Sequence, residues 1–325
     1  MAGSRLLMPF SNKFGIPIDY INYFASQIFC IVLAVLFKSI INRNFISESL
    51  RHIIASLLGC LLVHFCFGME SLATVIFFAS IMYATLYLPK LNGHITLLSA
   101  MAYLANLKYQ LVWYGNMDEV SINHTTVIMI FVQKVTSLQY SLVDGRLSTA
   151  EREKLRGYRK KQLLQETPNI FEYFGFLFSF WTIMSGPMIF FKDYQKMMKN
   201  PEKNQASYLQ SFKKISLSIV YMVVGIKLEK VFKLKNLFTQ EIISTMSFIE
   251  ILVFSFFANI SARLKYIFAW TVSDGINNLA GFGFNEESNE WDLATNVNFL
   301  KVELGDNDKW DKIKNFELNS GFNLF

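Results

Sequence analysis

The chain has 325 residues, of which 52% are hydrophobic and only 17% are charged, with a formal net charge of +6. Soluble proteins carry about 25% charged residues, so this composition argues against an ordinary soluble domain and favours a membrane protein. Nucleic-acid binding is not indicated by the positive charge, because seven of the basic residues are concentrated in one short segment, 146–161.

Uncharged runs in chain order predict five membrane spans, at 20–37, 53–69, 71–89, 91–107 and 173–191. A helix of nineteen residues is about 28 Å long, close to the ~30 Å hydrocarbon thickness of a bilayer. Shorter apolar blocks predict three more spans, at 120–140, 211–230 and 247–272, with tilted, re-entrant or interfacial helices as the alternatives. The predicted fold class is therefore all-α, a polytopic integral membrane helical bundle.

Two regions differ in composition. Residues 1–284 hold all the predicted spans and are expected to form one multi-span membrane domain. Residues 285–325 contain nine acidic residues and no span, which predicts a polar tail. We expect this tail to lie outside the hydrocarbon core.

The basic segment Arg146–Lys161 is predicted to be cytosolic, because loops rich in Lys and Arg remain on that side of the membrane. It acts either as a topology determinant or as a landing patch for anionic lipid heads or a polyphosphorylated cosubstrate.

One predicted span is interrupted by Ser185, Gly186 and Pro187. A Gly-Pro pair in a membrane helix frees backbone groups that neighbouring helices or a wet cavity must satisfy. Polar residues lie in or beside other spans, including Asp274 together with the amides Asn277 and Asn278. Ionisable groups at membrane depth are costly and usually line a functional cavity, so these residues predict where a site lies.

The four histidines, His52, His64, His94 and His124, occur in no HExxH or HxxxH metal motif and in no HxxxxD charge-relay motif. His64, in an apolar run, and His124, near a span boundary, are interpreted as structural imidazoles. The sequence also has no P-loop and no GxSxG elbow. We therefore expect no metal site and no cofactor.

Four blocks of sequence occur in a recognisable order. They are QKVTSLQYSLVDG (Gln133–Gly145), EYFGFLFSFWTIMSGPMIFFKDY (Glu172–Tyr194), KYIFAWTVSDGINNLAGFGFN (Lys265–Asn285) and EWDLATNVNFLKVELG (Glu290–Gly305). Together they resemble the membrane-bound O-acyltransferase family, and within it the lysophospholipid acyltransferase branch. The resemblance covers about two thirds of the chain.

That resemblance implies a helical bundle around a tunnel in the endoplasmic reticulum membrane. Acyl-CoA is the cosubstrate and enters from the cytosolic side, and the lysophospholipid enters from the bilayer. The family's chemistry uses a histidine as general base and an asparagine that assists it. By motif position the predicted substrate-binding residues are Ser185, Gly186, Pro187, Asp274, Asn277, Asn278, Trp291 and Asp292.

A structural role is the alternative for each of these residues. Gly186 and Pro187 could only kink a helix, and Trp291 and Asp292 could cap or anchor a segment at the interface.

The sequence departs from the family at the catalytic positions. Glu317 stands where the family's asparagine is expected, and none of the four histidines occupies a matching motif. An ionised glutamate accepts hydrogen bonds and cannot donate one to an oxyanion. We therefore predict no catalytic residue here and expect the C-terminal catalytic part of the family to be missing.

The predicted function is that of a lysophospholipid acyltransferase-family protein in phospholipid remodelling, without catalysis by these 325 residues. The main alternative is a non-catalytic lipid-binding or regulatory membrane protein. A transporter is the remaining alternative, but the sequence shows no repeated second half that would support it. In each case the expected partners are membrane lipids and not nucleic acid.

Overall fold

The structure, a computed structural model, describes residues 3–41, 45–88, 93–114, 123–155, 157–200, 208–233, 246–282, 284–285 and 290–291. Helices dominate it, as predicted. They are α1 (Met8–Phe14), α2 (Ile18–Leu36, continued by a π-helical turn Phe37–Ile41), α3 (Glu48–Leu86), α4 (Gly93–Tyr114), α5 (Thr125–Gly145), α6 (Thr149–Lys154), α7 (Gly157–Lys161), α8 (Ile170–Leu177), α9 (Phe191–Lys199), α10 (Tyr208–Val231) and α11 (Phe248–Ala280). Two short antiparallel strands follow, β1 (Phe284–Asn285) and β2 (Glu290–Trp291).

Five of the described helices are long and apolar enough to cross a bilayer: α2 with its π-helical turn, α3, α5, α10 and α11. Many of their large apolar side chains point away from the protein, as the 70% exposure of Phe212 and the 62% exposure of Phe256 illustrate. Such surfaces are stable in lipid and costly in water. The chain is therefore an integral membrane protein of the predicted all-α class. Helix α4 covers the predicted span 91–107, whose crossing of the membrane stays a prediction.

Helix α3 folds back on itself at Gly68. This residue has φ 82° and ψ 177°, a conformation that side-chain-bearing residues avoid. A straight helix would place His52 and Ala79 about 40 Å apart. Both nevertheless contact the short helix α8: Tyr173 Oη donates to the Ala79 carbonyl at 2.9 Å, and a methyl group at Gly175 would lie 3.1 Å from His52 Cα. The two parts of α3, before and after Gly68, correspond to the separately predicted spans 53–69 and 71–89.

The helix expected over 173–191, with a break at Ser185–Pro187, is interrupted earlier and over a longer stretch than predicted. Helix α8 ends at Leu177, and the chain then runs through turns and extended backbone until Phe191 begins α9. Gly186 has φ 78°, which is not helical, and Pro187 brings no N–H to a helical ladder. An eight-residue helix is only about 12 Å long, too short to cross a bilayer.

We call residues 178–190 the inner segment, because most of its side chains are buried in the core. Phe178, Phe180 and Trp181 are each at most 2% exposed. Irregular backbone at membrane depth is tolerated where protein surrounds it, since lipid cannot satisfy its polar groups. The surrounding helices therefore take the place of water in satisfying the polar backbone groups of this segment.

Lys134 of α5 holds the start of the inner segment. Its fully buried ammonium donates to the carbonyls of Phe176 and Leu177, at 2.7 and 3.1 Å, and lies 5.0 Å from the Phe176 ring centroid. The hydroxyls of Ser179 and Thr182 also lie within hydrogen-bonding distance of its Nζ, at 3.0 and 2.7 Å, and share the three N–H groups with the two carbonyls. The last carbonyls of α8 have no partner within their own helix, so this lysine caps that helix end.

Helices α10 and α11 pack closely along their length. Ser261 Oγ donates to the Gly225 carbonyl at 3.3 Å, and Lys214 pairs with Asp274 near the other end. Small residues at the contact let the two backbones approach, as is common between membrane helices. The C-terminal half of α11, buried from Val272 to Ala280, is thereby held against the core.

Candidate functional site

A group of polar side chains meets where the inner segment lies between α2 and α11. Tyr23 Oη donates to Ser185 Oγ at 3.0 Å, and the Ser185 and Ser273 hydroxyls are 2.5 Å apart. Gln27 completes the group, with Nε2 3.5 Å from Ser185 Oγ and Oε1 3.5 Å from Ser273 Oγ. We call these four residues the polar cluster. Their hydroxyls and amide are uncharged, so the cluster can bind neutral polar groups without holding an ion.

Beside the polar cluster, Asn277 lies one helical turn after Ser273. Its Nδ2 donates to the carbonyls of Trp181 and Ser273, at 3.1 and 2.8 Å. Neither Asn277 Oδ1 nor Trp181 Nε1 has a hydrogen-bond partner within the described residues, although the two side chains are 0% and 2% exposed. A buried polar atom without a partner costs about 1–3 kcal/mol. Asn277 Oδ1, beside the cluster, and Trp181 Nε1 are therefore one buried acceptor and one buried donor left unsatisfied by the described residues.

The other predicted residues of α11 make structural contacts. Asp274 pairs with Lys214 of α10. Asn278 Nδ2 donates to the Phe282 carbonyl at 2.7 Å, just past Gly281, which ends the helix at φ 103°. Their substrate-binding role stays a prediction, and these contacts supply the alternative explanation of their place in the sequence.

The remaining predicted residues lie apart from these contacts or outside the description. Gly186 donates its N–H to the Thr182 carbonyl at 2.9 Å and, with Pro187, ends the turn that carries Ser185. Trp291 pairs with Phe284 in the short sheet. Asp292 and Glu317 lie outside the described residues.

Sequence reasoning missed Tyr23, Gln27, Ser273 and Trp181. A signal was available for the first pair, since Tyr23 and Gln27 are four residues apart in a predicted apolar span and so share one helix face. Ser273 and Asn277 repeat the same spacing on α11. For Trp181 no such signal exists, because its indole becomes relevant only through the irregular path of the inner segment.

None of the four histidines takes part in the contacts of the polar cluster. His52, His94 and His124 hydrogen-bond through Nδ1 to Tyr194, Tyr140 and Ser71, and His64 is exposed. The cluster thus offers binding groups but no imidazole to act as a base.

The basic segment begins where α5 ends. Arg159 makes two hydrogen bonds to the Asp144 carboxylate, at 2.9 and 2.6 Å, and Arg146 donates to the Leu86 carbonyl at 3.2 Å. This pairing with Asp144 raises the pKa of Arg159 above its usual value. Lys154 and Lys160 remain exposed, so part of the segment's charge is available to an anion.

A family model of membrane-bound O-acyltransferases matches residues 30–307. The chain belongs to the membrane-bound O-acyltransferase family. Among curated proteins it is similar to lysophospholipid acyltransferase 6 of Drosophila melanogaster, 29% identical over 99% of this chain and 47% of that protein. It also resembles human membrane-bound glycerophospholipid O-acyltransferase 2, 27% identical over 93% of this chain and 62% of that protein. The chain thus spans about half to three fifths of these relatives.

Two of the four motif blocks contribute residues to the site in this family member. The block Glu172–Tyr194 contributes Trp181 and Ser185, and the block Lys265–Asn285 contributes Ser273 and Asn277. A third block, Gln133–Gly145, supplies the lysine that holds the inner segment. The resemblance inferred from these blocks is confirmed.

Proposed function

We propose that this protein serves acyl transfer from acyl-CoA to a lysophospholipid, in phospholipid remodelling at the endoplasmic reticulum. In this proposal the polar cluster, with Asn277 and Trp181, holds the polar part of the lysophospholipid. The observation that carries it is the pair of unsatisfied hydrogen-bonding atoms, Asn277 Oδ1 and Trp181 Nε1, which are buried in a membrane bundle. The names of the relatives support the lipid class.

A lysophospholipid offers partners for the two unsatisfied atoms. Its free glycerol hydroxyl is a donor suited to Asn277 Oδ1, and its ester carbonyl is an acceptor suited to Trp181 Nε1. The apolar walls of the inner segment, among them Phe180, are compatible with its acyl chain.

The basic segment is the proposed landing site for acyl-CoA. Its exposed lysines, including Lys154 and Lys160, carry the charge that attracts phosphates.

In this proposal the 325 residues bind the lysophospholipid but do not catalyse acyl transfer to it. Acyl transfer to a hydroxyl needs a base within hydrogen-bond reach, and no histidine of this chain contacts the polar cluster. The same observation favours the second candidate function, a non-catalytic lipid-binding or regulatory membrane protein. Both functions require the lipid site.

Photolabelling tests the site. The purified protein in lipid nanodiscs receives a lysophosphatidylcholine with a diazirine in its acyl chain, and labelled peptides are mapped by mass spectrometry. We expect labelling in residues 171–282 that unlabelled lysophospholipid competes away. The double substitution Ser185→Ala with Ser273→Ala removes two hydroxyl contacts and should weaken the apparent affinity about tenfold.

The matched control is the pair Ser218→Ala and Ser255→Ala. These hydroxyls donate within their own helices, to the carbonyls of Ile215 and Ile251. Uniform labelling along the chain, or equal loss in the control pair, would refute a site at the polar cluster.

A further inference from the structure

A second group of polar residues, which shares no member with the polar cluster, lies where α3 and α8 begin. A cavity of about 200 Å³ is lined there by Glu48, Ser49, His52, Asn169, Glu172 and Lys199. Its walls come from both helices and from the end of α9. The proposed lipid chemistry makes no use of it.

Three side chains in this cavity could ligate a metal ion. One donor atom from each of Glu48, His52 and Glu172 lies within 4.8 Å of the other two. Around a tetrahedral zinc ion with bonds of about 2.0–2.2 Å, two donors lie about 3.3–3.6 Å apart. His52 Nε2 and Glu48 Oε1, 3.5 Å apart, already have this spacing, and the Glu172 carboxylate would close on them by up to about 1.5 Å around an ion.

The imidazole gives an independent indication. His52 is 2% exposed, yet its Nε2 makes no hydrogen bond within the described residues. It faces Glu48 Oε1 at 3.5 Å, and that oxygen also has no hydrogen bond there. Buried polar atoms are rarely left in this state without a ligand or water between them.

We propose that Glu48, His52 and Glu172 form a zinc-type divalent cation site that ties the start of α3 to the start of α8. One imidazole with two carboxylates is a ligand set suited to zinc. Magnesium and calcium prefer oxygen ligands alone, and so are less well matched.

The other nitrogen of the ring is already positioned as a metal ligand requires. His52 Nδ1 lies 2.7 Å from Tyr194 Oη, and such a bond fixes the orientation of a ligating imidazole. With zinc bound, Nδ1–H donates to this hydroxyl and leaves the Nε2 lone pair for the ion.

The remaining contacts of the cavity are compatible with a cation. Glu172 accepts from the Asn169 N–H at 2.9 Å and from Gln195 Nε2 at 3.2 Å, and its carboxylate retains further lone pairs. Lys199 is exposed at the end of α9, so its flexible ammonium can turn into solvent. Glu48 and His52 are four residues apart, but Glu172 is distant in sequence. No short sequence motif therefore contains all three residues.

Zinc titration of the purified full chain in detergent tests the proposal. The chain is first stripped of metal with a chelator and desalted, and zinc is then added. We expect about one bound zinc ion per chain by elemental analysis, and a melting temperature above that of the stripped chain. The variant Glu48→Gln with Glu172→Gln should bind zinc at least about tenfold more weakly. Glutamine still serves at Glu172 as a capping-box residue, so the fold of α8 is retained.

The matched control is Glu151→Gln, which changes the same capping-box position at the start of α6. Zinc binding and melting temperature in this control should equal those of the wild type. Two results would overturn the site: no stoichiometric zinc on the wild-type chain, or unchanged zinc binding in the double variant. The wild-type titration decides the matter even if the double variant folds poorly.

Discussion

Replacing Lys134 with methionine is expected to lower the melting temperature of the purified protein by about 5–10 °C. Methionine keeps an unbranched chain of nearly the same length and removes only the ammonium. The Leu177 carbonyl would then lose its buried donor, and the Phe176 carbonyl would keep only the Ser179 hydroxyl, at 2.9 Å. Each unsatisfied group costs about 1–3 kcal/mol, and the contacts between Ser179 and Thr182 recover only part of this.

The measurement is thermal unfolding in detergent, followed by size-exclusion fluorescence. Lys160→Met is the matched control, because it makes the same chemical change at an exposed position of the basic segment. Its melting temperature should stay within about 1 °C of the wild type. Equal stability of the Lys134 variant would mean that this lysine does not hold the inner segment.

Alanine at Gly59 is expected to be poorly tolerated for a different reason. A methyl group there would lie 1.7 Å from the Phe178 carbonyl oxygen, so the backbones of α3 and the inner segment must separate. Overpacking of this kind costs about 1–3 kcal/mol, and more where only backbone can yield. We expect a lower melting temperature and a reduced yield of monodisperse protein.

Gly225→Ala is the control, since it is also a helix-interior glycine in a membrane helix. Its nearest neighbour would be the Leu264 side chain at 3.2 Å, which can adjust. Both substitutions gain the same helix propensity, about 1 kcal/mol, so their difference isolates the clash. If the two variants have the same melting temperature, the close packing of α3 on the inner segment is refuted.

The helices were largely predictable because their signal is local. Uncharged runs predicted helices where α2 and both parts of α3 form, and the shorter apolar blocks predicted those where α5, α10 and α11 form. Lipid as solvent imposes that apolar pattern residue by residue. The adjacent runs 53–69 and 71–89, predicted as separate spans, imply a reversal between them, but Gly68 was not identified as the residue that makes it. Nothing in local composition distinguishes a glycine at φ 82° from one within a straight helix.

The inner segment could not be predicted for a related reason. An apolar run predicts burial in lipid or protein alike, and only tertiary contacts decide between them. Here Lys134, more than forty residues away, replaces the helical hydrogen bonds that α8 lacks beyond Leu177.

Of the predicted site, Ser185 and Asn277 lie at or beside the polar cluster, because motif blocks marked them. Their partners Tyr23 and Trp181 came only from the three-dimensional packing. Likewise the cation site joins α3 to α8 across more than a hundred residues, so sequence spacing could not reveal it.

An acyl-transfer assay tests most directly whether these 325 residues bind lipid without transferring acyl groups. The purified chain in nanodiscs receives radiolabelled acyl-CoA and a panel of lysophospholipids, and products are separated by thin-layer chromatography. No labelled phospholipid should form above a no-protein control, because no histidine contacts the polar cluster. Turnover by the wild type that disappears in the Ser185→Ala and Ser273→Ala variant would contradict this.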